Sequence, residues 1–203
     1  MDEEEERMDS HQDTIEVSTQ ISERTVLHNI VSDWRAQIVG PEFFRKTNRF
    51  PVRKEEYVTR SLYKGGKLVL PTGISFRADQ TEYGFTLEKA GVDIAVLGFT
   101  VNGSIADCLQ VQGKRNKYRE LQPIFWEKAL LINAISVAQQ GGLDAITVIP
   151  AHVLMEMDNA QSDHEYSTMV QRLQERYDLP ARALGFTYSA ALSRYVLDLK
   201  NQS

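Results

Sequence analysis

The chain has 203 residues, 42% of them hydrophobic and 25% charged, and a formal net charge of −5; this suffices for one domain with a substantial core. A single cysteine, Cys108, excludes an internal disulfide and a cysteine-based zinc site and fits a reducing, cytoplasmic setting. No stretch approaches the roughly eighteen apolar residues of a transmembrane helix, and residues 1–7 alone carry −4 of the charge, so the remainder is near neutral and nucleic acid is not an expected partner.

Residues 1–18, opening "MDEEEERMDSHQD", are acidic and poor in large apolar groups. They read as a disordered, solvated tail, not as a signal or transit peptide. Leu27, Ile30, Val31, Trp34 and Ile38 follow at helical spacing, with Ser22 as N-cap and Gly40-Pro41 as the stop. His28 flanks this stripe. Phe43, Phe44 and Phe50 are interleaved with Arg45, Lys46, Arg49, Arg53 and Lys54; the rings are expected to pack while the charges reach water. The tail and residues 43–54 are the candidate surfaces for a protein partner. Residues 19–66 are expected to form an N-terminal helical arm, and 67–203 the core.

The core opens with two short strand segments, "KLVLPTGISFRA" and "TEYGFTLEKAG". "VDIAVLGFTVNG" is apolar on both alternating sets, as a strand covered on both faces must be. Asn102-Gly103 predicts a tight hairpin into "SIADCLQVQ". Strand alternation there puts Ile105, Asp107, Leu109 and Val111 on one face and Ala106, Cys108, Gln110 and Gln112 on the other. Cys108 reads as a buried structural thiol. After a basic turn, Pro123 fits the first turn of a helix that runs to Gln140. That helix is apolar around most of its circumference, which predicts burial of Ile132 and Ile135. Gly141-Gly142 ends it, and "DAITVIPA" is a β-branched strand with His152 at its end. Tyr166, Met169, Val170, Leu173 and Tyr177 line one side of an amphipathic helix capped by Ser162 or Asp163. "LPARALGF" forms a last helical turn and "TYSAALSRYVLDL" the closing strand. The expected class is α+β, a mixed and largely antiparallel sheet flanked by helices.

Two features bear on chemistry. Gln112, Gly113, Lys114, Arg115 and Lys117 form a basic turn between strand and helix, where backbone N–H groups and cations make an anion site; a solvated turn is the competing reading, since neither GxxxxGK[ST] nor GxGxxG is present. His152 follows a strand end, where open sheets place reactive groups, and histidine serves as a general base near neutrality; a structural role competes. His164 lies twelve residues on, without the i, i+4 spacing or HExxH motif of a helical metal pair, so no metal is expected. No GxSxG occurs.

The order of hairpin strands, basic turn, helix, strand, helix and closing strand, with "ARALGF" at 181–186 and "SRYVLDL" at 193–199, resembles the GNAT family of N-acetyltransferases. That resemblance implies a GNAT-like fold with acyl-CoA or acyl carrier protein as co-substrate and no tightly bound cofactor. Backbone amides near Gly113, with Lys114, Arg115 and Lys117, would hold the carrier's phosphates. His152 would deprotonate an amine, and Tyr188 or Tyr195 would protonate the leaving thiolate. Over residues 67–198 the chain also resembles the bacterial VirK/YbjX family, through Leu109, Gln110, Gly113, Leu121, Pro123, His152, Tyr177, Asp178, Leu184 and Gly185. This second resemblance implies an alternative, a non-catalytic regulatory or stress- and virulence-associated binding protein on the same scaffold.

Overall fold

The computed structural model describes residues 25–45, 56–72, 81–157 and 163–200, with the side chains of 163–166 set aside. The expectations for the acidic tail, Ser22, Phe50, the cations from Lys46 to Lys54, Ser162 and the side chains of His164 and Tyr166 lie outside these residues.

Helix α1 spans residues 25–32 and buries Leu27 and Val31, one turn apart. It stops well before Gly40. Gln37–Ile38 is instead a short edge strand, β1, antiparallel to β2 (Tyr57–Ser61), with Ile38 paired to Val58. Sheet pairing thus overrides the apolar spacing, and Ile38 is left 64% exposed. The rest of the helical arm expected over 19–66 likewise contains strand: β2, and a small hairpin of β3 (Tyr63–Lys64) and β4 (Lys67–Leu68). Gly65 and Gly66 turn that hairpin at φ 57° and 84°, which favours glycine at both positions. Trp34 packs edge-on against Phe85, with centroids 5.3 Å apart, and His28 accepts or donates a 2.7 Å bond with the Tyr63 hydroxyl.

The remaining strands are β5 (Tyr83–Lys89), β6 (Val92–Asn102), β7 (Ile105–Gly113), β8 (Ala145–Val148), β9 (Thr187–Ser189) and β10 (Arg194–Asp198). The large sheet runs β1-β2-β5-β6-β7-β8-β10-β9. Every pairing in it is antiparallel except β7 with β8. This is the mixed, largely antiparallel α+β class that the sequence implies. Residues 94–99 of β6 are buried on both faces. The β6–β7 loop is Gly103-Ser104, with Asn102 still paired to Ile105 and Gly103 at φ 56°. One face assignment fails. Gly98 pairs with Gln110 but Phe99 pairs with Cys108, so Leu109 is an extra, bulged residue. The bulge reverses the alternation, and Val111 joins Ala106 and Cys108 in the buried core.

The basic turn leads to a single-turn helix, α2 (Tyr118–Leu121), and then to α3 (Trp126–Gln140). Pro123 is not in the first turn of α3. Phe44, just after a 3-10 turn at Pro41–Phe43, forms an isolated antiparallel bridge with Ile124: Arg45 N–H bonds Pro123 O at 2.8 Å and Phe125 N–H bonds Phe43 O at 2.7 Å. Bridged in this way, Ile124 does not join the helix. α3 lies across β5 to β8. Its buried side includes Leu130, Ala134 and Val137, whereas Ile132 is 36% exposed and Ile135 only partly buried, against expectation.

After β8, Ile149-Pro150 leads directly into α4 (Ala151–Met157). His152 is therefore in a helix's first turn and not on a strand. α5 (Asp163–Leu173) passes through a π-helical turn, Gln174–Asp178, into α6 (Leu179–Ala183), which packs on α3. Pro180 has no N–H to offer the carbonyl four residues back, and Leu179 N–H reaches instead to Gln174 O. Leu130→Ala should cost about 2–5 kcal/mol in denaturant unfolding. Ile132→Ala should cost under about 1 kcal/mol. Equal losses would contradict this placement of α3.

Candidate functional site

β7 and β8 run side by side from Ile105/Ala145 to Cys108/Val148 and then part. Ile149 N–H to Cys108 O, at 3.4 Å, is the last link. Beyond it β7 continues to Gly113 beside β6, which leaves an edge facing the gap. The π turn closes that edge. The Tyr177 hydroxyl accepts from Val111 N–H at 2.9 Å and donates to Val111 O at 3.3 Å. The next residue, Asp178, is buried, and its Oδ1 accepts Ala151 N–H at 2.8 Å. One dipeptide thereby satisfies a strand edge and an orphan amide at the start of α4.

Beside this stitch lies a cavity of about 460 Å³. His152 and Met155 of α4 form one wall, Val170 of α5 with Gln174 and Asp178 of the π turn a second, and Arg182 of α6 with Tyr188 and Tyr195 a third. Register explains why the aromatic groups meet. Tyr188 of β9 stands opposite Tyr195 of β10, and Tyr195 stands opposite Val148, the last residue of β8. Their rings sit edge-to-face at 5.7 Å, and the Tyr188 and His152 rings at the same distance. The Tyr188 hydroxyl is 3.4 Å from His152 Nε2. Arg182 donates to the Tyr195 hydroxyl from Nε at 3.0 Å and from Nη2 at 2.7 Å. Tyr195 is buried, whereas His152 and Tyr188 are exposed. The three residues that the sequence nominated for proton transfer therefore line one cavity.

The nominated anion-binding residues do not line it. Lys114 N–H is used by Ile94 O and Lys117 N–H by Lys114 O. Lys117 Nζ pairs with Glu120 at 3.0 Å and holds that carboxyl below its usual range. Gln112 Oε1 accepts from Gln110 Nε2. At Gly113 an added Cβ would lie 2.8 Å from Leu121 Cδ1 and in contact with Trp126, so a side chain there needs the end of Leu121 to shift. Cys108 is wholly buried, and desolvation, reinforced by Asp107, raises its thiol well above the ordinary range, as befits a structural residue. Sequence reasoning did not single out Gln174 or Arg182 and took Asp178 only as part of a resemblance. Their spacing, i, i+4 and i+8 around the turn, is the signal that marks one helical face.

Glu127, in the first turn of α3, is half-buried. Desolvation pushes its carboxyl up to about 7; Arg45 and Arg176 oppose that rise and Glu175 adds to it.

No family model matches the sequence, and no curated protein matches it. Solved structures with partial overlap include YhhK from E. coli bound to coenzyme A, at 14% identity, 62% of this chain, 77% of that one and a TM-score of 0.35. Others are a GNAT-family acetyltransferase from Streptococcus pneumoniae (12%, 56% of each chain, 0.32) and the PaiA N-acetyltransferase from Thermoplasma acidophilum with coenzyme A (12%, 56% and 57%, 0.30). The chain spans little more than half the length of the latter two. Overlaps this loose carry no residue roles across.

Tyr177→Phe leaves the Val111 amide without its partner and should cost about 1–3 kcal/mol, with faster hydrogen exchange at Val111. An unchanged exchange rate would show that the hydroxyl does not close this edge. For Glu127, the folded-state value of about 7 exceeds the ordinary 4.5. The folded protein thus holds the proton more tightly, and stability should fall as pH rises between those values, by roughly 1–3 kcal/mol for a half-buried group. Glu127→Gln should flatten that slope in pH-dependent denaturation.

Proposed function

We propose that this chain is an acyltransferase-type protein that moves an acyl group from a thioester, on coenzyme A or an acyl carrier protein, to an amine held in the cavity beside His152. One observation supports this most directly: His152, Tyr188 and Tyr195 share the wall of one cavity next to the parting of β7 and β8. The amine nitrogen attacks the thioester carbonyl carbon, its surplus proton goes to His152 Nε2 by way of the Tyr188 hydroxyl, and the carbon–sulfur bond breaks to leave an amide and a thiolate. Tyr195 gives the thiolate its proton. Two guanidinium donors on its oxygen stabilise the phenolate left behind. In this reading Lys114, Arg115 and Lys117 draw in the carrier's phosphates chiefly through charge, with Gln112 and Gly113 beside them, because two of the turn's amides are already bonded within the protein.

A second reading is favoured by a different observation. The Tyr177 hydroxyl occupies both the donor and the acceptor of Val111, so an extended carrier finds this edge taken. A non-catalytic binding or regulatory protein of the VirK/YbjX kind needs no such access.

Thiol release from acetyl-CoA and acyl carrier protein, over a panel of amines, separates the two. Catalysis predicts release, a loss of about two to four decades in His152→Ala, and unchanged calorimetric binding of carrier by that variant. No release and no binding heat for either carrier would leave the binding-protein reading.

A further inference from the structure

Two opposite charges line the cavity, and neither forms an ion pair among the described residues. Asp178 is 8% exposed, and among the described residues its carboxylate bonds only the Ala151 amide, through Oδ1. Arg182, itself exposed, uses Nε and one Nη2 hydrogen on the Tyr195 hydroxyl and forms no ion pair among the described residues. Its remaining three N–H groups bond none of those residues. The two residues are four apart along one helical path, so both charges project to the same side. A carboxylate sequestered with a single hydrogen bond is costly to maintain, because burial weakens its hydration while one amide returns only part of it. The cost is relieved by a ligand that brings a cation to Asp178 and an anion to Arg182. Met155, Val170 and the rings of Tyr188 and Tyr195 line the same cavity, surfaces suited to a short apolar or aromatic group. A cavity of about 460 Å³ is of the size that takes a small molecule.

We propose that the cavity binds a zwitterionic amine, an α-amino acid or close relative with a modest apolar side chain. Its carboxylate sits on Arg182 and its ammonium on Asp178 Oδ2. This deepens the acyl-transfer reading by naming the acceptor class and rests on that reading only for what happens after binding. The ammonium beside Asp178 must lose one proton before its nitrogen can attack, and His152 lines the same cavity.

Calorimetry on the full chain without acyl donor tests binding alone. The probes are L-phenylalanine and L-methionine against phenethylamine, which lacks the carboxylate, and 3-phenylpropionate, which lacks the amine. Each single-charge analogue should bind roughly ten- to a hundredfold more weakly than phenylalanine, the usual effect of one charge-assisted contact. Asp178→Asn keeps an oxygen for the Ala151 amide, so the fold should survive while phenylalanine loses its advantage over phenylpropionate. Arg182→Gln should erase its advantage over phenethylamine. Phenethylamine or phenylpropionate binding as tightly as phenylalanine would overturn the proposal, as would no binding of either amino acid at millimolar concentration. Amino-acid binding with the expected variant pattern, but without thiol release on adding acyl-CoA, would support this site and remove the acyl-transfer reading. Thiol release with other amines and no amino-acid binding would do the reverse.

Discussion

Everything at the candidate site depends on a parallel strand pair that comes apart. β7 and β8 share only four residue pairs, and beyond Cys108 and Val148 the backbone of β7 has no strand on that side. A buried strand edge demands partners for its N–H and C=O groups. One phenol supplies both roles at Val111, since a hydroxyl accepts and donates at once. Removing the parting would align β8 with all of β7 and leave no room for the π turn, and without the π turn the cavity loses Gln174 and Asp178 from its wall.

The π turn follows from a proline. Pro180 cannot complete the helical ladder, and the widened turn before it rotates residues 174–178 relative to a regular helix. Tyr177 then faces β7 while Asp178 faces α4 and the cavity. Neighbours that would diverge by about 100° on an ordinary helix here divide two tasks, one sealing the sheet and one holding a charge at the cavity wall.

Sequence periodicity served best where one element decides its own neighbours. The hairpin at Asn102, the doubly buried β6 and the glycine stop after α3 follow from local pattern, whereas the single closing strand expected over 187–199 is a hairpin of β9 and β10. It failed where a distant segment intervened. Ile124 is bridged to Phe44 and so kept out of α3, and a bulge at Leu109, marked only by Gly98 on the facing strand, reverses the faces of β7. At the site, His152, Tyr188 and Tyr195 were nominated from strand ends and a family resemblance, and all three line one cavity. Arg182 was missed. Its spacing from Gln174 and Asp178 places it on one helical face, but only tertiary structure shows that it pairs with no acid among the described residues. The basic turn is legible in sequence as amides and cations, but not that Ile94 O and Lys114 O take two of the amides and that Glu120 pairs with Lys117.

Under the acyl-transfer reading proposed above, the sealed edge and the open cavity impose different demands on the two substrates. A small ligand can enter the cavity with no bond broken, whereas a carrier lying along β7 must first displace the Tyr177 hydroxyl. That displacement exposes one amide and one carbonyl, so only a group able to donate and accept in the same register can offset it. Tyr177 and Asp178 are consecutive in a single π turn. A ligand that bonds Asp178 therefore acts on the peptide unit beside the residue that must move, and a shift there of even a fraction of an ångström alters a bond already stretched to 3.3 Å at Val111 O. Tyr177 and Asp178 thus tie the strand edge and the cavity wall to one turn of backbone.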